Sequence, residues 1–386
     1  MQAIFLPPKT CISPRFQARA FPIRISFVIP TLDQSGAERQ LTLLAIRLAG
    51  EGMDVDVIAL NRGGYFETPL RDANVPVHIL QKRFRFDPLT FVRLRRRLHH
   101  RRPNLVQSFL FSANAYVRLP GVCPTGTRIV VSERCVDSWK SGWQLKLDRW
   151  LSRRMDHMTA NSESVAEFYR TVVGVDAQKI SVIPNGLSAV EDNDAGRHDL
   201  RTELGLPAKT PILGFVGRLA PQKRLIDLVW AFHLLHQVVE DAALVLVGDG
   251  PDRHQLAEFA RSVGCRDRVF FTGHRQDASH IIPQFNAFCL PSAFEGMSNS
   301  LMEAMLAEVP VIVSDISSNL ELVTHETTGL VVPLGDSVAL GRAAVRLLQE
   351  QGLADRLATA AAEHVRTVHS VEQLVRRHLE LYDRLQ

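Results

Sequence analysis

Short apolar runs separated by amphipathic segments set the rhythm of this chain. From Ile23 onward, stretches rich in Val, Ile, Leu and Phe alternate with segments whose apolar residues fall three or four apart. The first series predicts strands at 24–30, 55–60, 75–80, 105–109, 128–133, 157–162 and 180–185. Helical patterns fill most of the gaps, as at 37–50 and 163–173. A second series predicts strands at 212–217, 243–248, 269–273, 287–292, 309–315 and 329–333. Its first gap holds a helix with Leu225, Leu228, Val229, Phe232, Leu235 and Val239 on one stripe. Residues 370–386 form a last amphipathic helix.

Short apolar strands separated by helices imply a parallel sheet covered on both faces. Two series in tandem imply an α/β protein of two Rossmann-like, doubly wound domains. They are expected to face each other across a cleft lined by strand carboxyl ends, where such sheets bind ligands. The first domain is expected at 23–190, a linker at 191–210 and the second domain at 211–369. The polar, acidic segment 188–199 has no apolar period and marks the connection. Residues 1–22 carry four prolines and no signal-peptide core. They are expected to be a disordered extension or the product of an upstream start codon.

Composition narrows the class. A hydrophobic fraction of 46% and a charged fraction of 22% fit a folded soluble protein. No apolar run reaches the roughly 18 residues a membrane span needs. The cysteines, Cys11, Cys123, Cys135, Cys265 and Cys289, are odd in number and lack metal-type spacing. Unpaired thiols in a reducing compartment are expected. Charge is uneven: residues 1–190 hold 27 Lys and Arg against 15 Asp and Glu, whereas residues 191–386 hold 18 against 26. The first half therefore suits an anionic partner or surface.

Two stretches carry candidate chemistry. In Phe294-Glu295-Gly296-Met297-Ser298-Asn299-Ser300-Leu301-Met302-Glu303, a loop opens into a short helix between two predicted strands. Asn299 or Ser300 is expected as the N-cap. The backbone N–H groups of such a helix start suit a phosphate, and a carboxylate at Glu303 accepts two hydrogen bonds from a vicinal diol. In Gly217-Arg218-Leu219-Ala220-Pro221-Gln222-Lys223, two cations five residues apart follow a strand. Together they can grip a diphosphate and stabilise it as a leaving group. A pair of helix-flanking glutamates and a solvated basic turn are the plain alternatives.

The Glu295-x7-Glu303 spacing and the Arg218…Lys223 pair, in this order, resemble the signature of family-4 retaining glycosyltransferases of the GT-B fold, also described as glycosyl transferases group 1. The likeness runs from about Ile23 to Pro333 and is stronger in the second domain. It implies that Glu303 holds the donor ribose and Glu295 lies near the donor sugar. It implies that backbone at Gly296, Met297, Ser298, Asn299 and Ser300 meets the diphosphate, beside Gly217, Arg218 and Lys223. Arg218, Lys223 and Glu295 become the catalytic candidates, and His274 and Arg275 would border the base. Ser35-Gly36-Ala37-Glu38 resembles the family's Gly-Gly-x-Glu loop with Ser35 in place of the first Gly, so Gly36 would approach the donor phosphates or the acceptor. Where many members have a His, this chain reads Glu133-Arg134, and these would touch sugar or acceptor. The terminal helix is expected to cross back onto the first domain.

Other features count for less. Val247-Gly248-Asp249-Gly250-Pro251 lacks the third Gly of a dinucleotide fingerprint and reads as a tight turn. Asp54-Val55-Asp56 has the letters of a metal-holding string but starts a strand, so sheet-edge charges are expected and no metal. Residues 82–102 carry nine Lys and Arg and one Asp, with Phe84, Phe86, Leu89, Phe91, Leu94 and Leu98 interleaved. An anionic membrane surface is the expected partner, ahead of nucleic acid or a merely solvated helix face.

The resemblance implies a metal-independent, cofactor-free retaining transferase. It would move a hexose-type sugar from a nucleotide-diphosphate sugar, UDP-linked, to a hydroxyl of a glycan or lipid-linked glycan in cell-envelope polysaccharide or glycolipid synthesis. A cytoplasmic enzyme, peripheral on the inner face of the cell membrane, follows. A sugar epimerase of the same fold and a non-catalytic membrane or nucleic-acid binder are the rival readings.

Overall fold

The computed structural model describes residues 23–136, 140–188 and 199–386. The expected extension at 1–22 and most of the polar connection, 189–198, lie outside the described residues. The chain divides into two compact units, one running to Ser188 and regaining Ser370–Gln386, the other Ala189–His369.

In the first unit the strands are β1 (Arg24–Ile29), β2 (Asp54–Ala59), β3 (Val77–Ile79), β4 (Leu105–Phe109), β5 (Arg128–Glu133), β6 (His157–Ala160) and β7 (Ile180–Val182). They pair in parallel in the order β3-β2-β1-β4-β5-β6-β7. In the second unit β8 (Ile212–Val216), β9 (Ala243–Val247), β10 (Val269–Gly273), β11 (Ala287–Leu290), β12 (Val311–Ser314) and β13 (Leu330–Val332) pair in parallel as β10-β9-β8-β11-β12-β13. Both orders are doubly wound. Each reverses once, between β1 and β4 and between β8 and β11.

Every predicted strand is present, and several are shorter than expected. Prolines stand at some of these ends: Pro30, Pro76, Pro291, Pro310 and Pro333 adjoin strands that stop or start beside them, whereas the overruns at 60, 161–162, 217 and 248 have none. A proline has no N–H for the ladder, so the pairing ends there. The single helix expected at 163–173 is α-helical only to Phe168 and widens into a π turn over Tyr169–Val173, closed by Gly174 at φ 81°.

The helices that position the sites, numbered in chain order among themselves, are α1 (Gly36–Gly50), α2 (Pro88–Arg101), α3 (Leu110–Val117), α4 (Gly142–Ser152), α5 (Leu225–His236), α6 (Asn299–Leu306) and α7 (Val371–Leu385). On β1 the period of two divides the core. Ile25, Phe27 and Ile29 pack with α1 and with Leu374, Val375, Leu379 and Tyr382 of α7. Val28 packs on the opposite face with Leu94 and Leu98 of α2 and with Ala113 and Val117 of α3. The terminal helix α7 is therefore a layer of the first unit. On α5, Leu225, Leu228, Val229, Phe232 and Leu235 are buried as the stripe requires, and Val239 lies beyond the helix end.

The basic stretch is not one exposed face. Leu94 and Leu98 are buried, whereas Phe84, Phe86 and Leu89 are exposed. A helix laid on a sheet must bury one stripe, and here that stripe takes arginines with it. Arg101 and Arg97 reach the fully buried Asp56 at 2.8 and 3.4 Å, and Arg101 also pairs with Asp54 at 2.8 Å. Ser26 donates to Asp56 Oδ1 at 2.6 Å. The Asp-x-Asp string thus clamps α2 to the sheet. Removing one partner of a buried pair strands the other charge, at about 3–5 kcal/mol. Asp56→Ala is expected to lower the first unit's unfolding free energy by about that amount in denaturant titration. Asp54→Ala, at a 42% exposed side chain, should cost under about 1 kcal/mol.

Helix α7 carries a polar network into the core. His378 Nδ1 lies 2.9 Å from the Leu374 carbonyl oxygen, and its Nε2 lies 3.3 Å from the Gln107 amide nitrogen on β4. The Tyr382 hydroxyl donates to Gln107 Oε1. Burial pushes the His378 imidazole down to about 3, and burial likewise pushes His157 down to about 4. Below pH 6.5 the unfolded chain takes up a proton that the folded unit refuses. Stability therefore falls as pH drops through this window, by about 2 kcal/mol at pH 5 from His378 alone. His378→Asn is expected to flatten the fall in unfolding midpoint between pH 6.5 and 4, measured by circular dichroism.

Candidate functional site

The second unit's strand order reverses between β8 and β11, and the loops leaving these two strands carry both candidate stretches. A doubly wound sheet opens a crevice at such a point, beyond the strand carboxyl ends. The loop after β8 bends at Gly217, φ 157°, and runs through Arg218 and Leu219 into a 3-10 turn, Pro221–Lys223. Three neighbouring loops are laced by backbone: Gly217 N–H donates to the Val247 carbonyl at 2.9 Å, Leu219 N–H to Asp249 at 3.0 Å, and Gly248 N–H to Gly273 at 2.8 Å. The glycines permit this. A Cβ on Gly248 would sit 1.9 Å from the Gly217 oxygen, and one on Gly250 would sit 2.1 Å from the Leu219 oxygen.

The 3-10 turn meets the loop after β11. Lys223 Nζ contacts Glu295 Oε1 at 2.5 Å, with the two side chains 14% and 10% exposed. Gln222 donates to the Phe294 carbonyl at 2.7 Å and lies 3.4 Å from Glu295 Oε2, and Ala293 N–H donates to the Gln222 carbonyl at 2.8 Å. The motifs that the sequence separates by 72 positions are thus one construction. Arg218 is exposed, and no described side chain pairs with it.

Gly296, Met297 and Ser298 are buried and lead into α6. The N-cap is Ser298, not Asn299 or Ser300: Ser298 Oγ accepts from Leu301 N–H at 3.3 Å, and its φ and ψ are extended. The cap moves one residue earlier because Asn299 already begins the first helical turn. Asn299 and Ser300 are half-buried in that turn, and Glu303 is half-buried one turn further along. The positive end of the helix dipole and its leading N–H groups point past Ser298, the arrangement that attracts phosphate. The hydrogen bond from Ser314 Oγ to the Ser292 carbonyl, 2.6 Å, fixes the strand end that feeds the loop.

The remaining candidates have other neighbours. Arg275 is engaged, with Glu203 at 2.5 Å and Asp277 at 2.8 Å, and these hydrogen bonds raise its pKa further. His274 is exposed. Ser35, Gly36, Glu133 and Arg134 belong to the first unit. Ser35 is the N-cap residue of α1, and its hydroxyl donates to Glu38, whose carboxyl is pushed up by burial. Gly36 is exposed at the first position of that helix. Glu133 is 2% exposed and accepts from Asn114 Nδ2 at 2.9 Å. Arg134 donates to Asn185 Oδ1 at 2.7 Å and lies over the Phe109 ring, and burial pushes it down to about 10. Gln222 received no role from the sequence; its place between Pro221 and Lys223 was the available signal. Among the described residues no group of three His, Cys, Asp or Glu could hold a metal ion.

Two family models divide the chain between them. "Glycosyltransferase Family 4" matches residues 34–190, and "Glycosyl transferases group 1" matches residues 196–364. The chain belongs to the family-4 glycosyltransferases of the GT-B fold. Among relatives, the lipopolysaccharide core biosynthesis glycosyltransferase LpsD of Rhizobium meliloti is 34% identical over 53% of this chain and 57% of its own length. An Escherichia coli galactosyltransferase acting on GlcNAc-diphosphoundecaprenol is 33% identical over 46% of this chain and 48% of its own. The chain thus spans about half the length of these curated relatives. Anabaena HepE, solved with UDP and glucose, shares the fold at a TM-score of 0.83 and 21% identity, covering 94% of this chain and 99% of that one.

In this family-4 fold the glycine contacts beneath the Arg218 loop set its height above the sheet. Gly248→Ala, which adds a Cβ against backbone and strains a φ of 130°, is expected to destabilise the second unit by about 1–3 kcal/mol in thermal unfolding. Gly264→Ala is the contrast: it also has positive φ, at 76°, but no atom lies within 4 Å of its Cβ, so only the backbone strain applies.

Proposed function

We propose that this protein is a retaining glycosyltransferase that moves a hexose-type sugar from a nucleotide-diphosphate sugar, UDP-linked, to a hydroxyl of a glycan or lipid-linked glycan. The observation that carries the reading is the Lys223–Glu295 pair at the β8/β11 switch point, next to the start of α6 and the exposed Arg218. In this reading Arg218 and Lys223 take the diphosphate, aided by the α6 N–H groups, and lower the barrier by stabilising the charge that develops as it leaves. Lys223 has further N–H donors beyond the one on Glu295, so it can bridge carboxylate and phosphate. Glu303 accepts from the ribose diol. Glu295, held by Lys223 and Gln222, orients the sugar. The acceptor hydroxyl then attacks the anomeric carbon from the face the diphosphate leaves, passing its proton to a phosphate oxygen, and the configuration is retained. With two cations on the diphosphate no metal is required.

The acceptor class draws support from the relatives. The Escherichia coli enzyme is named for a diphosphoundecaprenol acceptor, and so is a Campylobacter jejuni N-acetylgalactosaminyltransferase that is 26% identical over 88% of this chain. Among the described residues no helix is long and apolar enough to cross a membrane. The exposed part of residues 82–102, around Arg83, Phe84, Arg85 and Phe86, is the basic and aromatic surface that would meet an anionic membrane, and it supports the reading of peripheral attachment at the inner face of the cell membrane.

The test is calorimetric titration with a panel of nucleotide-diphosphate sugars. One donor is expected to bind, without added metal and in EDTA, and to weaken by about 10–100-fold in Glu303→Ala and in Arg218→Ala, as loss of a charged hydrogen bond implies. Donor binding that survives both substitutions would place the nucleotide elsewhere, and no binding by any donor would remove the transferase reading. An inverted anomeric configuration in the product, read by proton NMR, would exclude the retaining course.

A further inference from the structure

Between α2, α3 and α4 the first unit holds a cavity of about 610 Å³, inside the roughly 300–1,000 Å³ range of small-molecule sites. Its wall is Phe91, Phe111, Tyr116, Trp143, Leu147 and Leu151, and Lys82, Arg85 and Phe86 stand at its rim. The rim is exposed: Phe86 is 70% and Trp143 45% accessible, and Phe84 and Leu89 beside them are 68% and 61% accessible. Rings left in water around an unfilled apolar cavity forfeit contacts that close packing would supply.

The cavity is held open by charge. Asp148 on α4 pairs with Arg118, just past α3, at 2.7 Å and with Lys140 at 2.7 Å, and all three side chains are 0–1% exposed. Lys140 also donates to the Tyr169 hydroxyl at 2.6 Å and lies 4.8 Å from the Phe111 ring. Such a cluster cannot slide into the cavity without stranding a charge, so α3 and α4 keep their spacing. At the rim, Lys82 donates to Ser112 at 3.3 Å, and Arg85 lies over the Trp143 ring at 5.3 Å. The only acid of residues 82–102, Asp87, is consumed in capping α2: it accepts from the N–H groups of Arg83, Leu89 and Thr90. Asp87 keeps its charge and lines the same mouth, but Lys82 and Arg85 outnumber it, so the mouth is net positive. Lys82 and Arg85 follow β3, and Phe111 and Ser112 follow β4, so the mouth lies at the carboxyl edge of the sheet, where the ligand of such a domain binds.

We propose that this cavity takes the hydrocarbon chain of a phosphate-headed amphiphile, the lipid portion of the acceptor, with Lys82 and Arg85 on its phosphate. This rests on the reading of the acceptor as lipid-linked. Charge complementarity selects the head and the aromatic wall selects the chain. A nucleic acid would satisfy the cations and leave the cavity unfilled.

The probe is farnesyl diphosphate, titrated calorimetrically into the full chain, with inorganic diphosphate as the head alone and farnesol as the chain alone. Farnesyl diphosphate is expected to bind at least about tenfold more tightly than either part. Ala115→Phe, which fills the cavity from α3, should abolish the gain of the chain. Arg85→Glu, at an exposed position with no fold to disturb, should reduce binding by about tenfold or more. UDP binding by the second unit is expected to be unchanged in both, and an unchanged circular-dichroism spectrum and melting profile serves as the check that the first unit of each variant is folded. Equal binding by wild type and Ala115→Phe would overturn the proposal, as would equal affinity for inorganic diphosphate. Adsorption to anionic vesicles that survives both substitutions, with no binding of farnesyl diphosphate, would overturn it in favour of a general membrane face. A dimer that dissociates in Ala115→Phe would make a second copy the occupant. A wild type that binds farnesyl diphosphate but no nucleotide would sink the transferase reading and leave the lipid site standing.

Discussion

The ion pair between Lys223 and Glu295 is the contact on which the second unit's site depends. Neither side chain is more than 14% exposed, so each is tolerated there only because the other is present. The pair joins the loops that leave β8 and β11, the two strands between which the sheet order reverses. Gln222 adds two further contacts across the same gap. Beneath the pair, Gly248 and Gly250 let the Arg218 loop rest directly on neighbouring backbone. One cation is therefore tied to Glu295, just ahead of the α6 cap, while the other is left exposed.

The first unit uses buried charge differently. Asp56 holds Arg97 and Arg101 and so fixes α2, and Asp148 holds Arg118 and Lys140 and so fixes α3 against α4. Cations that look like a single basic face along the chain are thus split by the fold. Those on the inner stripe of α2 are architectural. Arg83, Arg85, Arg93, Arg95, Arg96 and Arg102 remain exposed and are what an anionic partner would meet. Asp87, which caps α2, offsets them only in part.

Much of this was legible beforehand because it follows from local rules. Alternation of apolar runs with amphipathic ones specified two parallel α/β units, since a strand buried on both faces has no other regular environment. The stretches around Lys223 and Glu295, singled out by their residue types, are loops that the fold joins through one ion pair. Some strand ends were misjudged at prolines, where hydrophobicity continues but the N–H is missing. The Ser298 cap was missed because three capping-type residues stand in a row, and only backbone dihedrals separate them.

What the chain could not declare by itself is which charges meet. The letters of Asp54-Val55-Asp56 suit a metal, a sheet edge or a clamp; the choice depends on α2 lying across β2, a contact some forty residues distant in sequence. Arg275 shows the same in reverse, a loop cation that the fold commits to Glu203 and Asp277. Local pattern determined the elements and the types of residue at their ends, because backbone hydrogen bonding and side-chain periodicity act over a few residues. Tertiary structure decided pairing, burial and the cavity beside α3, because those are set by packing between segments that the sequence holds far apart.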